Sequence, residues 1–222
     1  VLSSHFRPVS HYFRQNFSQV TNPPIDSLRE NKVMSLKTRF GNLGNILNFD
    51  NLTKENIYVL DSPILSNSQF LKFNNFFKKK IKHIDCTFKN DENLESVLER
   101  IRKDAEIAVR QGLTQIILSD KNISDERLPV PMLLAVGAIN TYLIKHKLRG
   151  YVSINVQSGE AMDTHSFATL IGVGATTVNP YLAVDGLYQR FEKKLFGKFE
   201  FEDCVSRYIK SVNSGLLKIM SK

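Results

Sequence analysis

Between residues 81 and 220, the sequence alternates between short apolar runs and longer segments with apolar residues at every third or fourth position. The clearest periodic segment carries Leu94, Val97, Leu98, Ile101, Ala105, Ala108 and Val109. That spacing places the apolar side chains on one face of a helix, whereas the run 116–118 suits a strand that is covered on both faces. Strands that alternate with helices pair in parallel through right-handed crossovers. The pattern therefore predicts an α/β fold with a mostly parallel sheet and flanking helices, as in a partial or degenerate β/α barrel.

The individual elements follow from the same periodicities and from Gly and Pro positions. A helix capped by Asn90 or Asp91 should end at Gly112. Strands are predicted over 81–88, 114–119, 151–157 and 176–179, and further helices over 132–147, 162–171, 180–195 and 201–220. Residues 1–56 are predicted to form an irregular N-terminal arm with loops, and 57–222 the α/β domain. The Asn- and Ser-rich segment that continues through Asn75 is predicted to be irregular surface structure.

The chain is basic, with 30 Lys and Arg against 22 Asp and Glu and a formal charge of +8. The excess is concentrated in the run 78–82, and no basic stretch is interleaved with stacking aromatic residues. A solvated surface explains this pattern better than a nucleic-acid site, and a nucleic-acid-binding module stays an alternative. We expect no nucleic-acid partner.

Cysteine content and hydropathy constrain the location of the chain. Its two cysteines, Cys86 and Cys204, are too few for a four-thiolate zinc site or a cysteine-ligated cluster, and are predicted to be buried thiols in a reducing compartment. The longest apolar stretch, 132–139, is far shorter than the roughly 20 residues of a membrane helix. We therefore predict a cytoplasmic protein with no membrane partner.

Polar residues are predicted to meet at one edge of the sheet. Loops that follow the carboxyl ends of parallel strands gather on one rim, so the loops at Asp120, 158–160 and 179–181 should be neighbours. The candidate rim site comprises Ser158, Gly159, Glu160, His165 and Asn179. Glu160 and Asp163 could serve in acid–base chemistry, but two acids in a first helical turn more simply favour the helix dipole. His165 can hydrogen-bond the 158–160 loop, and a structural role is favoured over a catalytic one.

Complete catalytic motifs are not found. The sequence has no P-loop, no dinucleotide-binding fingerprint, no nucleophile elbow and no helical histidine pair. Gly172 and Gly174 flank Val173 in a turn that more simply ends a helix than binds phosphate. The alternative is an autonomous α/β-barrel enzyme that uses the rim loops and binds a phosphorylated small molecule near Gly174.

Several ordered motifs resemble one known family. They are Gln19-Val20-Thr21-Asn22-Pro23-Pro24-Ile25-Asp26, Arg127-Leu128-Pro129-Val130-Pro131, Ser158-Gly159-Glu160-Ala161, Gly172-Val173-Gly174-Ala175 with Val178-Asn179-Pro180-Tyr181-Leu182-Ala183, and the run from Tyr208 to Lys218. In this order and over nearly the whole chain, they resemble the central domain of the large subunit of glutamate synthase.

The resemblance implies that the chain is a fragment of a larger multidomain enzyme. A glutaminase domain would precede Val1, and a flavin domain carrying FMN and an iron-sulfur cluster would follow Lys222. Glutamine would be hydrolysed in the first, and ammonia would pass through an internal tunnel to aminate 2-oxoglutarate in the second. The resemblance implies no catalytic residue, cofactor or metal in this chain itself, and leaves open whether NADPH, NADH or ferredoxin supplies electrons.

The proline-rich segment of the arm suits contact with ammonia. Residues 21–24 carry four carbonyl acceptors but only two backbone N–H donors, because both prolines lack one. Ammonia carries three N–H bonds and can move between such fixed carbonyls. The residues predicted to line the tunnel are Thr21, Asn22, Pro23, Pro24, Ile25, Met34 and Ser35. The alternative is a rigid packing arm with no contact to ammonia.

Overall fold

The computed structural model of the chain describes residues 5–15, 25–41, 47 and 57–221. Short 3-10 turns lie at Val9–Tyr12 and Arg149–Tyr151. The helices and strands, in chain order, are α1 (Glu30–Val33), β1 (Thr38–Phe40), β2 (Tyr58–Leu60), α2 (Asn67–Phe76), β3 (Ile81–Asp85), β4 (Thr87–Lys89), α3 (Leu94–Arg110), β5 (Gln115–Ser119), β6 (Arg127–Pro129), α4 (Met132–Lys145), β7 (Ser153–Gln157), α5 (Thr164–Gly172), β8 (Thr177–Asn179), α6 (Tyr181–Glu192) and α7 (Phe201–Met220).

A four-stranded parallel sheet lies at the centre of the fold. Its order is β3-β5-β7-β8, so each crossover moves one strand further in the same direction. One apolar row runs straight across the sheet, because Ile84 pairs with Leu118, Leu118 with Val156, and Val156 with Val178. The described residues form an open sheet rather than a closed barrel. The predicted α/β class, with its partial barrel-like order and flanking helices, is therefore confirmed.

Residues 63–65, just before α2, lie along the β8 edge of the sheet. Ile64 forms a parallel bridge with Val178, whose N–H donates to the carbonyl of Pro63 at 2.8 Å. Leu65 N donates to the carbonyl of Val178 at 2.9 Å. These bonds extend the parallel hydrogen-bonding pattern by one short segment and fix the start of α2.

The two faces of the sheet have different coverings. Ile116 and Leu118 pack against α3, α4 and α5 in the main core, while Ile117 points the other way, as the alternation of side chains along a strand requires. On that second face lies an aromatic cluster from the antiparallel pair β1–β2 and from α2, which includes Phe40 and the fully buried Phe73. Burying one such side chain stabilises the fold by about 2 to 3 kcal/mol.

The expectation of irregular structure through Asn75 is wrong. This segment contains β2 and α2, and Ser66 starts α2 with a capping box: its hydroxyl accepts from Gln69 N, and the Gln69 side chain accepts from Ser66 N. Phe70 and Phe73 then fall on one buried face. The helix is stabilised by the apolar area that its aromatic residues bury. Its many polar residues mask this apolar face in the linear sequence.

The predicted strand over 81–88 is also divided. β3 ends at Asp85, whose carboxylate accepts from Thr87 N at 2.9 Å and from Thr87 Oγ1 at 2.7 Å. This turn sends β4 away from the parallel sheet to pair antiparallel with β6, which lies at the end of the charged loop. Likewise, α3 is capped by Asn93 instead of Asn90 or Asp91.

The remaining predicted elements appear within a few residues of their expected bounds, and α7 matches its prediction at both ends. Cys86 and Cys204 are both buried free thiols, as expected. No helix in the described part of the chain combines the length and the apolar character needed to cross a bilayer.

Candidate functional site

The rim of the sheet is organised around Asp120, which directly follows β5 and is 1% exposed. Its Oδ2 accepts from Ser158 Oγ at 2.8 Å and from Gly159 N at 3.0 Å. The hydroxyl of Tyr181, at the start of α6, also hydrogen-bonds this carboxylate. Ser158 N in turn donates to the carbonyl of Asn179 at 3.0 Å. The loops after β5, β7 and β8 are therefore neighbours, as the parallel topology predicts.

The electrostatics of this cluster follow from its burial. Desolvation raises the pKa of Asp120, and the hydrogen bonds from Ser158, Gly159 and Tyr181 oppose that rise. Burial, together with the charge of Asp120, also raises the pKa of Tyr181. Because Asp120 accepts from three different residues of the chain, the carboxylate fastens the rim loops to one another.

Glu160 caps a different helix from the one expected. Its Oε2 accepts from Met132 N at 3.0 Å, at the N-terminus of α4, where Pro131 provides no side-chain cap. Asp163, by contrast, caps α5 and accepts from Ser166 N at 2.8 Å. The expectation that both acids lie in the first turn of one helix is thus wrong for Glu160. Desolvation raises the pKa of Glu160, the bond from Met132 N lowers it, and the nearby charge of Asp120 raises it further.

His165 faces the N-terminal arm. Its Nε2 lies 2.7 Å from the carbonyl oxygen of Ser10, which belongs to the Val9–Tyr12 turn. The expected hydrogen bond to the 158–160 loop is therefore replaced by a contact with the arm. The structure does not bring His165 into the Asp120 cluster, and its contact ties residue 10 to α5.

Asn179 belongs to a polar row across the carboxyl ends of the strands. Its Nδ2 donates to the carbonyl of Leu65 and to Asn67 Oδ1, both at 3.0 Å, and its Oδ1 accepts from Gln157 Nε2 at 3.2 Å. Gln157 Oε1 accepts from Ser119 Oγ at 2.8 Å. Sequence reasoning missed Ser119 and Gln157, although their places as last residues of predicted parallel strands were a usable signal. The row links three strands to the start of α2.

Within residues 5–15, 25–41, 47 and 57–221, no group of three or more His, Cys, Asp or Glu side chains is placed to hold a metal ion.

The turn between Gly172 and Gly174 shows a packing role for the second glycine. Gly174 has φ of +126°, and a Cβ there would lie 2.6 Å from Asn140 Cγ. Its carbonyl accepts from Arg149 Nη2 at 3.0 Å, and Arg149 Nε also donates to Asn140 Oδ1 at 2.7 Å. Only glycine suits this backbone conformation and close approach.

The arm contacts the end of α7 just after the proline-rich segment. Thr21, Asn22, Pro23 and Pro24 lie outside the described residues, whereas Ile25 N donates to the carbonyl of Ser221 at 3.2 Å. Glu30 is 8% exposed, and its Oε1 accepts from Lys218 Nζ at 2.9 Å and from Ser221 Oγ at 3.0 Å. Residues 25–30 are thus fastened to the last turn of α7.

An apolar groove of about 320 Å³ is lined by residues of the arm and of two helices. Its lining includes Ser35 and Leu36 of the arm, Ile171 of α5 and Leu216 of α7. Ser35 is exposed, while Met34 is half-buried and closes α1 through its N–H bond to the carbonyl of Glu30. Of the residues predicted to line a tunnel, Ser35 therefore borders an open groove.

All 222 residues match the model of a family described as the glutamate synthase central domain. The chain belongs to that family. It is 50% identical over 225 residues to the large chain of an NADPH-dependent glutamate synthase from Azospirillum brasilense, and 42% identical over 226 residues to the corresponding chain from Bacillus subtilis. It is also 38% identical over 226 residues to the chloroplastic ferredoxin-dependent glutamate synthase of Spinacia oleracea, covering 95% of this chain and 14% of that protein.

The match to the two bacterial relatives covers 100% of this chain but only 15% and 14% of theirs. The chain therefore corresponds to a small part of a glutamate synthase large chain. Among solved structures, it is similar to a flavocytochrome b2 variant with a TM-score of 0.41 and 12% identity, covering 71% of this chain and 49% of that chain.

Proposed function

We propose that this glutamate synthase central domain connects a glutaminase domain with a flavin-containing synthase domain in one polypeptide and helps to form the passage for ammonia between them. Glutamate would be made on the synthase side from ammonia released on the glutaminase side. FMN and an iron-sulfur cluster would belong to the rest of the polypeptide, and its electron donor would be chosen there. The domain would contribute architecture instead of a reactive group.

The observation that carries this proposal is the family match over all 222 residues. Relatives that are named glutamate synthases align with the chain end to end, while about 85% of the length of each bacterial relative lies outside the match. A domain that makes up so small a share of a polypeptide has neighbouring domains within it. A linking role is consistent with this arrangement.

The contact between the arm and α7 supports the part of the proposal that concerns ammonia. Ile25 is the last residue of the predicted tunnel segment 21–25, and its N–H is fixed to the carbonyl of Ser221. Ser35, ten residues later, lines a groove to which Leu216 of α7 also contributes. Two stretches of the arm that are predicted to meet ammonia thus lie near α7.

The chemistry of residues 21–24 supports a passage for a neutral donor. Two prolines leave carbonyl oxygens without matching N–H groups in the same segment, and fixed φ angles hold those oxygens at low entropic cost. A neutral molecule with three N–H bonds can satisfy such acceptors in turn. Glutamine-derived ammonia is that molecule in the proposed reaction.

The experiment is to obstruct this segment in a complete glutamate synthase large chain that contains the domain. Thr21→Trp and Ile25→Trp each add an indole at the segment, and glutamate formation is measured separately with glutamine and with ammonium as nitrogen donor. The glutamine-dependent rate should fall by roughly tenfold, because the added indole obstructs the passage between the two domains. The ammonium-dependent rate should stay near wild type, because ammonia from solution does not need that passage.

Leu28→Trp is the matched control. Leu28 is 88% exposed and lies outside the predicted tunnel residues, so the same indole should leave both rates unchanged. If Thr21→Trp and Ile25→Trp change the two rates in equal proportion, the passage does not involve this segment and the proposal fails.

A further inference from the structure

A buried carboxylate fastens the arm to the end of the last helix. Glu30 Oε1 accepts from both Lys218 Nζ, at 2.9 Å, and Ser221 Oγ, at 3.0 Å. Lys218 Nζ also donates to Ser27 Oγ at 2.6 Å. We call Glu30, Lys218, Ser221 and Ser27 the clasp. It joins residues that are 191 positions apart in sequence.

The Glu30–Lys218 pair is less exposed than two other ion pairs among the described residues. The side chain of Glu30 is 10% exposed and that of Lys218 46%, whereas both members of the Arg29–Asp26 and Lys37–Asp61 pairs are more than half exposed. Exposed pairs contribute little to stability because water screens them. Removing a partner from a buried charge is costly, since the remaining charge is then left without compensation.

The clasp lies beside the segment on which the proposed function depends. Glu30 is five residues from Ile25, and Ser221 contributes to both contacts: its hydroxyl bonds Glu30 and its carbonyl accepts from Ile25 N. A movement of Ser221 or Glu30 therefore displaces Ile25. The path from Glu30 to Ile25 consists of two hydrogen bonds that meet at Ser221.

We propose that Glu30, Lys218 and Ser221 are positioning residues for ammonia transfer: they hold Ile25 at the end of α7. This inference rests on the proposed function. The clasp residues touch no substrate in this account and act through the placement of the arm. Breaking the clasp should therefore lower the glutamine-dependent rate of glutamate formation and leave the ammonium-dependent rate largely unchanged.

The test uses a complete glutamate synthase large chain carrying Glu30→Ala, Glu30→Gln or Lys218→Met. Glu30→Ala should lower the glutamine-dependent rate of glutamate formation by roughly fivefold while the ammonium-dependent rate stays within about twofold of wild type. Glu30→Gln keeps an acceptor oxygen for Ser221 and should have a smaller effect. Asp61→Asn, which neutralises the exposed acid that pairs with Lys37 of the arm, is the matched control and should leave the ratio of the two rates unchanged.

The ratio of the two rates distinguishes positioning from general stability. A purely structural role would lower both rates together, and that outcome would overturn the inference. If Glu30→Ala and Lys218→Met leave the ratio unchanged while Thr21→Trp lowers it, the clasp has no part in transfer but the proposed passage stands. If Thr21→Trp and Ile25→Trp also leave the ratio unchanged, both the passage and the clasp are refuted.

Discussion

The hydroxyl of Ser158 donates a 2.8 Å hydrogen bond to the buried carboxylate of Asp120, across 38 residues of sequence. This bond, with that from Gly159 N, joins the loops that follow β5 and β7. In a barrel-like sheet, this rim is where functional groups commonly gather. Here the carboxylate, being surrounded by donors of the chain itself, stabilises the rim.

The first prediction concerns the pH dependence of this contribution. Burial raises the pKa of Asp120 above its ordinary value of 3.8, so the folded chain binds this proton more tightly than the unfolded chain. The contribution of Asp120 to stability is therefore fully present below 3.8 and is lost as the pH rises through the raised pKa. Asp120→Asn removes that titration.

The measurement is urea unfolding of wild type and Asp120→Asn at about pH 4 and at about pH 7. The variant should be less stable by about 1 to 3 kcal/mol at the lower pH, because the amide replaces one of the two oxygens that face Ser158, Gly159 and Tyr181 with a donor that cannot accept their hydrogen bonds. The deficit should shrink at the higher pH. A deficit that is the same at both values contradicts the raised pKa.

The second prediction concerns Glu160 as the cap of α4. Glu160→Ala leaves Met132 N without its acceptor and should lower the free energy of unfolding by about 1 kcal/mol, as the loss of an N-terminal cap does. Glu202→Ala, in the exposed first turn of α7, is the control and should change it by less than about 0.5 kcal/mol. Equal effects of the two substitutions would show that only the helix dipole is involved.

The third prediction compares two glycines in one turn. Gly174→Ala should destabilise the chain by about 2 to 3 kcal/mol, because its φ is unfavourable and Asn140 occupies the space of the new methyl. At Gly172, a Cβ meets nothing within 4 Å, so Gly172→Ala should be neutral or slightly stabilising. Thermal unfolding of both variants measures the difference. Similar melting temperatures would refute the packing role of Gly174.

The fourth prediction concerns the reactivity of Cys86. Burial raises the pKa of its thiol to about 12, with smaller contributions from the charges of Asp120 and Asp85. In a Cys204→Ser variant, a thiol-specific reagent should leave Cys86 unmodified in the folded chain and modify it completely in denaturant. Equally fast modification in both states would mean that this part of the core opens readily.

The parallel topology could be predicted from the sequence because the patterns that indicate it lie within single helices and strands. Each turn of α3 and α7 repeats an apolar face, and the apolar run of β5 leaves no alternative to a buried strand. The rim followed from topology alone, since carboxyl ends of parallel strands must be adjacent. By contrast, α2 was not predicted, because its apolar residues are interspersed with Asn and Ser. The spacing of Ser66 and Gln69, which form its capping box, did indicate the start of a helix.

Contacts between distant segments were not predictable from periodicity. Nothing near Glu30 indicates that Lys218 lies beside it, because a pairing over 188 positions depends on where α7 ends in space. The same applies to His165, whose partner Ser10 belongs to a segment without a strong pattern. Glu160 was assigned to the wrong helix because its place in sequence precedes α5, whereas in the fold it lies at the N-terminus of α4.

The central claim, that this domain carries ammonia between its neighbours, is tested most directly by the free ammonium released during glutamine turnover in a complete glutamate synthase large chain. With Ile25→Trp, the account predicts that more of the ammonia from each hydrolysed glutamine escapes into solution and less appears as glutamate, while Leu28→Trp behaves as wild type. If Ile25→Trp and Thr21→Trp both leave the amounts of free ammonium and glutamate per glutamine unchanged, the claim is contradicted.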